Sequence, residues 1–376
     1  MSFENRTFMR SSKVLVHEQA IINNWNAIVA KIPPQTRILP MVKANAYGHD
    51  DGLFTEIVTT LGAVGVGVAD LGEAVALREK KYTGPILCFG PITEETLPYA
   101  NKLDLILSLH DSEELNILRK HVPLDGNQIR LHIKVDTGMH RWGIPAEDAT
   151  SIAQTLQGLG HLSVEGVYTH FAESGVIDSD FTREQIAVFS AAFPIFEKTL
   201  GRRLIRHAAN SGAIFNYPDS HFDWVRPGLA LYGYASSPGA PESKLLSPAL
   251  EWRAKICQIK KIASGNTVGY NRAFRATSPH RIGTVGVGYG DGYLRNYADV
   301  GVFYEGQKRN VLGIISMDAL AVDLTSTPSA KVGDEVVLLG SHSNAPNAWD
   351  LARAARTIPY EALTSIQNRV PRVVCP

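Results

Sequence analysis

A lysine at the end of an apolar run is the residue of this sequence with the most chemical promise. Lys43 follows the run Arg37 to Val42 in the stretch MVKANAYGH. Burying an ammonium alone is very costly, so such a lysine is paired, solvated or chemically employed. A desolvated lysine gives up its proton readily and can form a Schiff base with a carbonyl cofactor or substrate. Other polar groups occupy matching places. The ends of later apolar runs supply Lys134 to Arg141, Thr169-His170, His207 to Ser211 with Asn210 between, and Arg226-Pro227-Gly228. Each has a plain reading beside the chemical one. Lys43 as a solvated strand end, Arg226 as half of a surface ion pair, His170 as a structural imidazole, and Ser211 and Gly228 as turn residues are all possible. Packing alone, however, does not explain why these groups gather at one end of the runs.

The runs themselves define the scaffold. Eight stretches rich in Val, Ile and Leu occur at Arg37 to Val42, Ala63 to Ala69, Pro85 to Phe89, Asp104 to Leu109, Ile129 to Val135, Leu162 to Tyr168, Leu204 to Ala208 and Val225 to Tyr232. Between them lie amphipathic stretches of helical period: Leu71 to Lys81, Ser112 to His121, Glu147 to Leu156 and Phe181 to Leu200, with Glu18 to Lys31 before the first run. Strands buried on both faces and alternating with helices imply a parallel sheet. Eight of them predict a closed (β/α)8 TIM-type barrel, whose chemistry belongs at the C-terminal ends of the strands; an open doubly wound sheet is the alternative. After Tyr232 the texture changes. Tyr234 to Pro248 is rich in Gly, Pro and Ser and reads as a domain boundary. Beyond it, β-type stretches at Trp252 to Ile262, Arg281 to Val287, Val302 to Tyr304, Val311 to Ile315, Ala319 to Leu324, Glu335 to Leu339 and Arg369 to Val374, with one helix at Trp349 to Ala355, predict a mostly antiparallel C-terminal β domain. The expected division is 10–240 for the barrel and 241–376 for the β domain, with the first residues pairing with the latter.

Composition narrows the partners. The 37 Lys plus Arg balance 37 Asp plus Glu, which removes any whole-protein argument for nucleic acid or acidic membranes. No uncharged apolar run reaches the ~18 residues of a spanning helix, and MSFENRTFMR has no secretory apolar core. Three scattered cysteines, Cys88, Cys257 and Cys375, suit neither a disulfide framework nor a zinc site, so a cytoplasmic protein without a metal is expected.

The segments VKANAYGH, KVDTGMHRWG, THFAES, HAANSGA, RPGLALYG, VGYNRAF, GVGYGDGY, SMDAL and TIPYEAL follow one another from Val42 to Leu363. In these segments, and in their order, the chain resembles the alanine racemase family. That resemblance implies a barrel carrying pyridoxal phosphate (PLP), a C-terminal β domain that completes the partner's active site, and a homodimer with shared sites. It implies that Lys43 holds PLP; that Ser211, Gly228, Tyr47 and Tyr360 meet its phosphate, with Asn210 beside them; that Arg226 faces the pyridine nitrogen, oriented by His207; and that His170 and Arg141 contact the cofactor. Racemisation needs two bases on opposite faces of one α-carbon. By resemblance these are Lys43 and Tyr270 of the partner subunit. Arg141, Met317 and Asp318 would meet the substrate carboxylate, with Tyr289 in support. Lys134 matches a position often carbamylated, against a simple Lys134–Asp136 pair as the alternative.

The implied activity is interconversion of L- and D-alanine, supplying D-alanine for cell-wall peptidoglycan. The sequence departs from the common pattern at Trp142, Asn271 and Glu173-Ser174, which bear on the entrance and on strict alanine preference. A broader or serine-preferring racemase, a PLP-barrel amino-acid decarboxylase and a non-enzymatic PLP-binding protein are the competing readings. Arg226 and the Tyr270 segment count against the decarboxylase, and the β domain with its second base counts against the non-enzymatic protein.

Overall fold

The computed structural model describes residues 10–121, 128–340 and 345–375. The chain forms two compact units: Ile22–Ala46 with Asp51–Leu246, and Met1–Ile21 with Tyr47–Asp50 and Ser247–Pro376.

The first unit is a closed parallel barrel. Its strands are Arg37–Ile38, Val66–Val68, Ile86–Cys88, Leu105–Leu109, Ile129–Asp136, Leu162–Tyr168, Ile205–His207 and Trp224–Val225, the second to the eighth each hydrogen-bonded to the next. Closure comes from the first strand pairing with the last, Arg37 opposite Trp224, and from the parallel bridge Met41–Gly67 on the other side. All eight expected runs therefore contribute a strand, and the open sheet is excluded. Leu39, Leu87 and Ile106 pack together inside, with Val64, Phe89 and Trp224 against them. Strand residues here are apolar on both faces because both faces are covered.

The helices follow the capping chemistry of the sequence. Asp70 accepts the Glu73 N–H at the start of Leu71–Glu79, and Asp111 accepts the Glu114 N–H at the start of Ser112–Lys120. Asp51–Thr60, Leu97–Lys102 and Ser211–Asn216 are helices the apolar period did not reveal. The eighth run stops early. Only Trp224–Val225 is strand, and residues 228–233 form consecutive turns, with Leu231 N–H on Gly228 O and Tyr232 N–H on Leu229 O. Pro227 has no N–H to continue the ladder, and this stretch is apolar because it is buried, not because it is extended.

In the second unit the long strand Leu250–Ile262 is the axis. It pairs antiparallel with Ser12–His17, Glu335–Leu339 and His280–Val285, and shifts register near Cys257, so its two halves serve different neighbours. Arg372–Cys375 adds a parallel pairing, with Ser12–His17. Expected strand Val311 to Ile315 reduces to a single bridge, Val311–Val322. Gly313 there has φ +77°, and a Cβ on it would lie 2.7 Å from Val268 O, so the chain turns away from the ladder. The helix Pro359–Thr364 was also not expected. No helix among the described residues is long and apolar enough to cross a membrane.

Arg372 fastens part of this unit. Its guanidinium donates to the carbonyls of Gly48, Ile366, Gln367 and Val370 at 2.6–3.0 Å. Burial lowers its pKa to about 10, which still leaves it charged at neutral pH. Arg372→Met strands these acceptors and should cost about 2–4 kcal/mol of unfolding free energy, read by denaturant titration. A loss below about 0.5 kcal/mol would mean that water satisfies them equally well.

Candidate active site

The C-terminal ends of the barrel strands bring Lys43, Lys134, Arg141, His170, His207 and Arg226 into one electrostatic neighbourhood. Burial and then Arg141 lower the Lys43 pKa, and only Glu73 opposes them. Lys134 is 7% exposed. Burial, Arg141 and Arg226 bring it down to about 8. The Lys134–Asp136 pair does not form. Asp136 instead accepts the N–H groups of Gly138 and His140 and contacts the His140 ring. The gathered cations thus have few anions of their own, and the site is built for a ligand with several negative charges.

Lys43 sits on unusual backbone. Ala44, Asn45, Ala46 and Tyr47 all have φ between 50 and 53°, a left-handed turn made without glycine. Each such residue costs roughly 1–2 kcal/mol. Strain of this size persists only where neighbours over-determine the conformation. Ala46 N–H bonds to Val42 O, and the Glu73 carboxylate accepts Ala44 N–H at 2.6 Å.

Arg226 is fully enclosed at the eighth strand end. Its Nη1 donates to His207 Nδ1 at 2.8 Å, and its Nη2 to Thr169 O and Ala208 O, with His170 Nδ1 at 3.4 Å. Its Nε–H has no partner among the described residues. The bonding fixes the imidazoles. His207 Nδ1 must be the acceptor, so its proton is on Nε2, which lies 2.8 Å from His132 Nδ1. His132 in turn carries its proton on Nε2, which is buried and without a partner. Burial and then the neighbouring guanidinium groups, Arg226 among them, keep His132 near pKa 3 and His207 well below its ordinary value. His170 is held neutral in the same way.

Ser211 opens the helix Ser211–Asn216, which Asn210 caps by accepting Ala213 N–H. Ser211 Oγ accepts the N–H groups of Gly228 and Ala230 at 3.0 and 3.1 Å, so its own proton is left to donate outward. Asn210 also accepts Ser174 Oγ at 2.5 Å.

In the other unit, Tyr47 packs on Tyr360 with ring centroids 5.7 Å apart. Tyr270 is 62% exposed and Met317 is 52% exposed. The Met317 N–H bonds to nothing among the described residues. Asp318 accepts from Arg369 at 2.8 Å, and Tyr289 lies under Arg295, with its N–H on Ser316 O. The sequence departures have local reasons. Asn271 has φ 55°, a conformation asparagine tolerates better than most residues where glycine is common. Trp142 sets its ring edge against buried His110, 4.8 Å away. Glu173 bonds to Ser179.

The model for "Alanine racemase, N-terminal domain" matches residues 16–236, and that for "Alanine racemase, C-terminal domain" matches residues 249–374. The chain belongs to the alanine racemase family. The racemase of Chlorobaculum tepidum is 35% identical over 96% of this chain and 95% of its own. The solved alanine racemase of Streptomyces lavendulae superposes with TM-score 0.88 at 33% identity, covering 98% of this chain and 97% of that one. That of Bacillus anthracis, with bound L-Ala-P, does so with TM-score 0.89 at 31% identity, covering 98% and 96%. As a member of the alanine racemase family the protein is an enzyme of the isomerase class.

Among the groups this racemase fold assembles, Glu73 and His132 escaped the sequence reading. Glu73 looked like an ordinary helix-start acid, and the only trace of His132 was a histidine inside an otherwise apolar strand. Because His132 binds a proton in the unfolded chain near pH 6.5 and in the fold only near 3, its stabilisation is present above 6.5 and is lost as pH falls toward 3. His132→Gln should therefore flatten the acid-side fall in stability by about 1.4 kcal/mol per pH unit within that window. An unchanged slope in denaturation at stepped pH would show that His132 is protonated in the fold.

Proposed function

We propose that the protein interconverts L- and D-alanine with PLP as cofactor, through proton transfer by two bases. The observation that carries this reading is the buried Arg226, held by neutral His207 with its Nε–H unused. A guanidinium facing a pyridine nitrogen donates to it and leaves the ring unprotonated, whereas a carboxylate would favour the protonated ring. This counts against the decarboxylase reading. The residues suit the cofactor in other respects too: several cations with few anions, a seryl hydroxyl free to donate, and a desolvated lysine with no ion pair closer than 4.0 Å among the described residues. The relatives are named alanine racemases, and the Bacillus anthracis structure has bound L-Ala-P.

PLP, when bound, supplies the electron sink that makes the α-proton of an amino acid acidic. Lys43 would hold it and serve as one base. Ser211, Gly228, Asn210, Tyr47 and Tyr360 would secure its phosphate. His170 would border the ring, and Arg141 would contact the cofactor oxygen and help orient the substrate carboxylate. Tyr270 of the partner subunit would be the opposite base, and Met317 of the partner subunit would offer its free N–H to that carboxylate, with Asp318 and Tyr289 shaping the surroundings. Lys134 is buried with a pKa near 8. Its amine is therefore neutral often enough to add to carbon dioxide, forming an N–C bond and losing one N–H proton to solvent, and the resulting carbamate would give Arg141 an anion to lean on. Division of the chain into a barrel of 10–240 and a β domain of 241–376 follows the same reading, as do a cytoplasmic location, in keeping with the free Cys88, Cys257 and Cys375, and supply of D-alanine for the cell wall.

The purified holoenzyme should racemise either alanine enantiomer without releasing carbon dioxide, and borohydride should fix one phosphopyridoxyl group on Lys43. Chiral analysis with alanine, serine and lysine as substrates, together with peptide mapping, checks both. Carbon dioxide release, or an adduct on another lysine, overturns the assignment. For the shared site, Lys43→Ala and Tyr270→Phe should each be nearly inactive. Mixed with complete subunit exchange they should recover about 25% of wild-type activity, since half of the dimers then contain one intact site. No recovery despite proven exchange would place both bases on one chain.

A further inference from the structure

Glu73 lies in the first turn of the helix Leu71–Glu79, where Asp70 caps its N–H. An acid there ordinarily points to solvent and favours the helix dipole. This one turns back. One carboxylate oxygen accepts Ala44 N–H at 2.6 Å and the other accepts Ala69 N–H at 2.7 Å. Ala44 directly follows Lys43 and begins the left-handed turn; Ala69 directly follows the strand Val66–Val68. Both oxygens are thus spent on backbone beyond the ends of neighbouring barrel strands, and the same carboxylate opposes the effect of burial and of Arg141 on Lys43.

We propose that Glu73 is a positioning residue for Lys43, holding the strained turn that aims its amine and adding a negative charge that acts on it. The inference rests on the reading of Lys43 as the cofactor-bearing base. The chemistry requires two acceptors on one side chain. Glutamine replaces one acceptor with an NH2 that cannot take an N–H bond. Aspartate is a methylene too short to reach both amides. The charges facing Lys43 are Arg141 and Lys134 from the later strand ends and Glu73 from this helix, with Asp70 beside Glu73 and the neutral His170 also close. Without the carboxylate, Lys43 faces cations alone, and its neutral form gains.

Three readouts on the full-length protein test this. Glu73→Gln should lower kcat about 10- to 100-fold with little change in KM, the scale of loss when a reacting group is misplaced by about 1 Å. In the protein freed of cofactor, hydrogen exchange at the Ala44 amide should accelerate, and acylation of Lys43 should reach its midpoint at lower pH than in the wild type. Ala44→Gly added to Glu73→Gln should recover part of the lost kcat, because glycine adopts the left-handed conformation without strain. Glu73→Asp, a milder change, should show the same directions and serves if the glutamine variant does not fold. A variant that loses thermal stability while keeping the acylation midpoint, the Ala44 exchange rate and kcat overturns the proposal. Borohydride mapping separates this from failure of the underlying reading: an adduct on a lysine other than Lys43 removes the premise, whereas an adduct on Lys43 with unmoved readouts removes only the role of Glu73.

Discussion

Cations brought together with few anions constrain the barrel end more than any other feature. Lys43, Lys134 and Arg226 all lose protonation stability there, and in each case burial is the largest cause. Folding such a group is unfavourable unless the protein uses it or satisfies it locally. Arg226 is satisfied by two carbonyls and a neutral imidazole, so no carboxylate cancels its charge. That choice propagates outward. His207 must be neutral to accept from Arg226, and His132 must be neutral to accept from His207. Tyr168 stacks on His207 with the planes 5° apart and Trp224 lies 5.6 Å from both histidines, an aromatic enclosure that excludes the water a protonated imidazole would need.

A second demand is placed on the backbone. Four successive non-glycine residues in the left-handed region are expensive, yet they occur immediately after Lys43. The cost is tolerable because the turn is anchored from both ends. Glu73 takes its first amide. Beyond it, Gly48 fits against Leu363 O so closely that a Cβ would lie 2.4 Å away, and Arg372 takes the Gly48 carbonyl. Tyr47 is fixed within that second anchorage by its contact with Tyr360. Each of these anchors uses a hydrogen bond or a close approach that tolerates little substitution.

The sequence carried the barrel because strand burial on both faces leaves a direct trace: short Val, Ile and Leu runs at regular intervals. It misplaced the end of the eighth strand and the stretch Val311 to Ile315 because apolarity reports burial, and buried turns are as apolar as buried strands. Short helices such as Ser211–Asn216 and Pro359–Thr364 span too few turns to show a period. Among the candidate site residues, Lys43, His170, His207 and Arg226 were visible because a charged or titratable group at the end of an apolar run is costly and therefore conspicuous. Glu73 was not, since an acid in the first turn of a helix is ordinary.

By itself, then, the sequence determined which side chains stand at the strand ends and how the chain alternates between strand and helix, since both follow from local pattern and the periods of the two structures. Only the tertiary structure decided which of those groups meet. It turned Asp136 toward Gly138 and His140 and away from Lys134, aligned Arg226, His207 and His132 into one chain of bonds, and bent Glu73 back onto Ala44. Residues 29, 75 and 19 positions apart in sequence exchange hydrogen bonds there. Proton placement depends on distances of a few tenths of an ångström between such groups, and no local pattern encodes them.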